Sequence, residues 1–337
     1  MRDEYHVIEQ LDLAGRQLKN VDANYARFAI ILTDNIVELM LYRRCKQAIR
    51  EDGALFSYGR RYQVHEPKYS DALRKDAEGR NFEKKVEFCR HQLQLLTEDE
   101  HVFINSVHSY RNEAYHVGIK HEDLLYPIAW QYHDFACNLF RKLSLSAHRF
   151  TCSSDIVSKV VQHHSHEEGI RLENSEEDLA NATNSLKQLK PQLTPGFAAQ
   201  LSGCLINRID DFAQSLWSLT GQGERDETEM FHEVQFHFYL FDESPVKTQL
   251  TQKMLPWDYE KLWKEQRSNW RPKYRNLPTE RWRQRSEQLS HVKCPMLAMK
   301  KFQTLLCEIE PLRLNMCQAA EDYENQQQLE WDLRNGR

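Results

Sequence analysis

The residues best equipped for chemistry lie in one short run, Ser109-Tyr110-Arg111-Asn112-Glu113-Ala114-Tyr115-His116-Val117-Gly118. A histidine with an ordinary pKa of about 6.5 can take a proton from a ribose 2′-hydroxyl near neutral pH. A guanidinium can grip the attacked phosphate through two N–H donors and offset the charge that grows on it. Arg111 and His116 together could therefore cleave RNA without a metal ion, with the RNA's own 2′-oxygen as nucleophile. The products would be a 2′,3′-cyclic phosphate and a free 5′-hydroxyl. Residues five apart on a straight helix point about 140° apart, so the pair needs a frayed last turn to converge on one phosphate.

Spacing alone does not discriminate, because Arg60 and His65 repeat it in a stretch with no helical pattern. Arg111 and His116 instead close an amphipathic helix, with Asn after the Arg and Gly two residues after the His. That combination resembles the HEPN family, whose helical domains carry an Arg-Asn-x-x-x-His signature at this point, and the resemblance covers roughly residues 20–145. It implies a metal-independent endoribonuclease with Arg111 as phosphate stabiliser, His116 as general base or acid and Asn112 orienting the site. It also implies a homodimer in which both protomers' Arg and His face one cleft, which is a second way to bring the two residues together. Family members commonly serve in toxin–antitoxin or antiviral defence, so an inhibitory or activating protein partner is implied by analogy. Asn35 and Glu38 on the first long helix are supporting candidates. Asn35 falls within the apolar stripe and needs a partner, which the Arg111 region could supply. Two other readings stay open: a HEPN-like module that binds RNA without cutting, and a helical interaction scaffold in which Arg111 and His116 merely finish a helix.

The elements that must position these residues are helical. Phe28, Leu32, Ile36, Leu39 and Met40 recur at three- and four-residue steps and predict a first long helix over about 24–49. Gly53, Gly59, Pro67 and Gly79 suggest an irregular connection over 51–81. Phe82, Val86, Cys89, Leu93 and Leu96 share one face of a second helix. Thr97 with Glu100 forms a capping box opening the motif helix, about 98–116, and Gly118 is placed to end it. A fourth helix, from near Pro127 to Leu143, turns Ile128, Tyr132, Phe135, Ala136, Leu139 and Phe140 inward. The expected organisation is all-α: a four-helix HEPN-like bundle in 1–145, a linker at 146–155 and a helical C-terminal domain over 156–337.

Within the C-terminal half, Val234–Phe241 fits a strand and a helix equally well, and Pro295–Leu333 reads as one helix kinked at Pro311. Lys253–Arg285 holds ten Lys or Arg against four Asp or Glu, with four of the chain's seven tryptophans. Cations beside stacking rings suit single-stranded RNA, which makes Arg271, Lys273, Arg275, Arg281 and Arg283 with Trp270 and Trp282 candidate RNA contacts. The bland reading is an amphipathic segment whose tryptophans pack inward. His163 and Glu167 share a helix face at metal-ligand spacing, but no companion ligands accompany them, so no metal is expected.

Composition narrows the class. The 337 residues, with 40% hydrophobic and 28% charged, exclude a disordered or fibrous chain. Only 11 Gly and 10 Pro favour long helices over tight turns. A net charge of −5 excludes a globally basic nucleic-acid coat. The eight cysteines lack any Cys-x-x-Cys pair and read as reduced, mostly buried thiols. No apolar stretch suits a membrane span and no signal peptide is visible at Met1–Asn20, so a cytoplasmic location is expected. No nucleotide, hydrolase or zincin motif occurs, and no cofactor is expected.

Overall fold

The computed structural model of the chain describes residues 2–62, 67–116, 122–144, 163–164, 176–190, 196–221, 223–243 and 256–335. Their regular structure is entirely helical, with no strand among the described residues. None of their helices is long and apolar enough to cross a membrane. They divide into two compact units, Met1–Gln200 with Cys294–Lys300 and Leu201–Lys293 with Lys301–Arg337.

The first unit contains α1 (Arg2–Gln17), α2 (Ala23–Tyr62), α3 (Asp71–Glu78), α4 (Phe82–His91), α5 (Glu98–His116), α6 (Glu122–Ser144) and α7 (Glu176–Lys187). The sequence reading did not anticipate α1. Its Val7, Ile8, Leu11 and Ala14 fall on one face and are buried where it packs on α2, α6 and α7. Each such larger apolar side chain contributes about 1.5–3 kcal/mol by leaving water. The helix α2 is the axis of the unit and packs against α1, α3, α4, α5 and α6. It runs through Gly53 and Gly59 to Tyr62, and α3 follows, so most of the expected connection at 51–81 is helical. A Cβ at Gly53 would meet open space: this glycine makes no turn, and the favourable hydrogen-bond ladder simply continues.

The phase of α2 also differs from expectation. Its buried face is Ala26, Ala29, Ile30, Ile36, Val37, Met40 and Leu41, with Thr33 and Asp34 between them, while Phe28 is 56% exposed. The large apolar residues of this helix occur on two faces, and periodicity weighted by size selected a line between them. The capping box at the start of α5 is present in both directions. The Thr97 N–H donates to Glu100 Oε2 at 2.7 Å, and the Glu100 N–H to Thr97 Oγ1 at 3.2 Å. It fixes the first residue of the motif helix.

The expected linker at 146–155 lies outside the described residues. The compact division falls at Gln200 and Leu201, because α7 packs on α1 and α6 with Ala182 and Leu186 buried. His164 is buried between Asp12 of α1 and Ser185 of α7, 2.8 Å from an oxygen of each. His164 is thus spent on packing, and Glu167, named with His163 as a metal candidate, lies outside the described residues.

The second unit is built on the greater part of α8 (Phe197–Leu219), then α9 (Glu227–Phe238), a short π-helix at Tyr239–Glu243, α10 (Pro256–Asn269), α11 (Thr279–Ser290) and most of α12 (Pro295–Arg334). The ambiguous 234–241 segment is helical: Phe231, Val234 and Phe236 are buried at helical spacing. Gly221, with φ of +65°, takes the left-handed conformation just beyond α8. Pro311 lies inside α12, which continues on both sides of it.

Candidate functional site

Asp34 on α2 is wholly buried, and a carboxylate in that position requires partners. It receives the Tyr132 hydroxyl from α6 at 2.9 Å on Oδ1 and His108 Nδ1 from α5 at 2.8 Å on Oδ2. A carboxylate has only lone pairs to offer, so His108 donates through Nδ1–H. Burial above all, then the Asp34 charge, pushes the Tyr132 hydroxyl well above its ordinary pKa, which keeps the donated proton in place. The His108 ring stacks on Phe82, at the start of α4, with centroids 4.1 Å apart. Three helices thereby meet at one buried carboxylate, and α4 packs against its histidine.

Arg111 lies one turn after His108 on α5. Its Nη1 donates to Asn112 Oδ1 at 2.8 Å and its Nη2 to Asn35 Oδ1 at 3.3 Å, while Nε stands 3.7 Å from Asp34 Oδ2. A quarter of the Arg111 side chain remains exposed. The guanidinium is therefore braced by α2 and by its own neighbour at the protein surface, where an incoming phosphate would meet a charge whose orientation is already set.

The structure brings Arg111, Asn112 and Asn35 together. It does so with Asn35 exposed, on the turn beside buried Asp34, and not within the buried stripe. Glu38 goes elsewhere: its Oε1 pairs with Lys85 Nζ of α4 at 3.5 Å. His116 is the last residue of α5, and its side chain lies outside the described residues, as does Gly118. Asp34 and His108 were missed by the sequence reading, and so was the role of Tyr132 as a donor. The signal for Asp34 was present: in the series Ala26, Ala29–Ile30, Ile36–Val37, Met40–Leu41, position 34 is a core position carrying a charge. Nothing local marks His108, which lies 74 residues from Asp34.

The basic aromatic segment has a different character from that expected. Trp282 is fully buried in the second unit, edge-on to Phe212 at 5.6 Å, and cannot stack on a base. Trp270 and Trp263 pack on Phe236, and Arg267 lies over the Phe236 and Trp270 rings at 4.8 and 5.0 Å. Arg281 and Arg285 pair with Glu308, and Arg283 with Asp210. The aromatic rings go inward for their apolar area, and the cations of α11 satisfy acids of the same unit. Arg271, Lys273 and Arg275 remain exposed between α10 and α11.

Comparison with known protein families, with curated proteins and with solved structures returns no match for this chain.

Proposed function

We propose that the chain is a metal-independent endoribonuclease of the HEPN type, in which Arg111 stabilises the attacked phosphate, His116 moves a proton and Asn112 holds Arg111. The observation that carries this reading is the bracing of Arg111. An arginine that only closed a helix would need no anchor on another element, whereas this guanidinium is tied to Asn35 of α2, set against Asp34 and left partly exposed. RNA contact away from the cleavage site falls to Arg271, Lys273 and Arg275.

The same proposal includes a homodimer. Tyr25 and Phe28 are exposed on α2 three residues apart, exposed Val21 lies just ahead of the helix, and Asn35 follows one heptad after Phe28 on the same face. A second copy seated on that face would cover the apolar residues and bring another α5 end beside Arg111. By analogy with the family, a growth-arresting or antiviral role under the control of a protein partner fits such an enzyme.

The test is incubation of purified wild type, Arg111→Ala and His116→Ala with mixed cellular RNA in a metal chelator, followed by end-group analysis. Cleavage by wild type alone, leaving cyclic phosphate and 5′-hydroxyl ends, is the expected result. Equal survival of RNA in all three samples overturns the proposal.

A further inference from the structure

Transfer of phosphate from the 5′-oxygen to the 2′-oxygen needs two proton movements, one off the nucleophile and one onto the leaving group. Within one protomer the Arg-Asn-x-x-x-His signature supplies a single histidine. The structure shows another beside Arg111. His108 lies three residues earlier on α5, about 60° around the helix, so it shares the arginine's face, whereas His116 is about 140° away.

The setting of His108 is that of a base. Its Nδ1–H is committed to Asp34 at 2.8 Å, so the neutral ring carries its lone pair on Nε2. Asp34 is itself fixed from the other side by the Tyr132 hydroxyl, and Phe82 stacked at 4.1 Å limits rotation of the ring. Nε2 meets no hydrogen-bond partner among the described residues, and 18% of the side chain is exposed. A histidine retained only for packing would have both nitrogens satisfied or enclosed, as His164 does between Asp12 and Ser185.

We propose that His108 is a second catalytic histidine of this site, whose Nε2 takes the proton of the RNA 2′-hydroxyl. The inference rests on the ribonuclease reading above and adds the base to it. In the step, the 2′-O–H proton passes to Nε2, the O2′–P bond forms and the P–O5′ bond breaks. His116 then gives a proton to the departing 5′-oxygen. The imidazolium formed at His108 is stabilised by Asp34, an orienting carboxylate in the sense of a hydrolase triad. Exchange with solvent resets both histidines.

The experiment compares wild type, His108→Ala, His108→Asn and His116→Ala in chelator on two substrates, a short RNA and a nucleoside 3′-(4-nitrophenyl phosphate). The asparagine amide can keep a donor to Asp34 while presenting no base, so it separates folding from catalysis. Both His108 variants should lose about 10²–10⁴-fold in rate on both substrates, because each substrate needs its 2′-hydroxyl deprotonated. His116→Ala should be strongly impaired on RNA and much less on the nitrophenyl ester, whose leaving group needs no acid. Added imidazole should restore part of the His108→Ala rate. Wild-type activity in His108→Asn would reduce His108 to a partner of Asp34 and overturn the proposal. A His108→Ala defect that vanishes on the nitrophenyl ester would also overturn it, by making His108 the acid. In both cases cleavage by wild type would leave the ribonuclease reading standing; absence of wild-type cleavage of either substrate would remove both.

Discussion

Removing the Asp34 carboxylate should show that the site is held by a buried polar network and not by surface pairing. In Asp34→Ala, the Tyr132 hydroxyl and His108 Nδ1–H each lose a charged acceptor at 2.8–2.9 Å. Hydrogen bonds to a charged group are worth about 1.5–3 kcal/mol each, and Tyr132 is wholly buried, so its hydroxyl finds no replacement in water. The expected loss is about 3–5 kcal/mol, the range found when one partner leaves a buried charged network. Tyr132→Phe alone should cost about 1.5–3 kcal/mol. Combined with Asp34→Ala it should add almost nothing, since the orphaned donor has gone too, giving a coupling of about 1.5–3 kcal/mol. Urea unfolding read by hydrogen exchange of α2 and α6 peptides reports the first unit by itself. Additivity of the two substitutions within about 0.5 kcal/mol would refute the reasoning.

Three further outcomes are expected. Burial, above all, lowers the pKa of His101, His133 and His164 below the ordinary 6.5, so the unfolded chain binds these protons first. The first unit should therefore lose stability as pH falls below 6.5 and level off once the folded histidines are protonated. The second unit should hold until lower pH, because the Arg285 hydrogen bond keeps Glu308 below the ordinary 4.5. A first-unit urea midpoint unchanged between pH 7.5 and 5.5 would contradict this. Phe28→Asp should convert a dimer to a monomer in sedimentation velocity without lowering thermal stability, since Phe28 is largely exposed; an unchanged mass would move the interface elsewhere. Trp282→Ala should destabilise the second unit by about 3–5 kcal/mol yet leave the RNA affinity of the folded protein unchanged. Replacing Arg271, Lys273 and Arg275 by alanine should instead reduce the slope of log affinity for single-stranded RNA against log salt concentration by roughly 2.

What the sequence made legible were features with local causes. The Thr97–Glu100 box is a contact between residues three apart, so the start of α5 could be read directly. Asn35 does meet Arg111, but from an exposed position beside the buried stripe, so the need of a polar residue amid apolar ones for a partner is not what brings it there. The phase of α2 differs from expectation because Tyr25 and Phe28 make its outward face apolar too, and small buried Ala26 and Ala29 weigh little in a periodicity. The helix beyond residue 50 was missed because glycine is a breaker only when the backbone needs a conformation other residues refuse, which Gly53 does not. Asp34, His108 and Tyr132 come from three separate helices, and only folding unites them. Trp282 and Arg283 alternate along α11 as a recognition surface would, yet one is core and the other an ion-pair partner.

The central claim is that the RNA's own 2′-oxygen is the nucleophile at Arg111. The most direct measurement compares an RNA oligonucleotide with its fully 2′-O-methylated counterpart, both offered to wild type and Arg111→Ala in chelator. The account predicts scission of the unmodified strand alone, by wild type alone, with a cyclic phosphate at the new 3′ end. Cleavage of the methylated strand, or undiminished cleavage by Arg111→Ala, would contradict it.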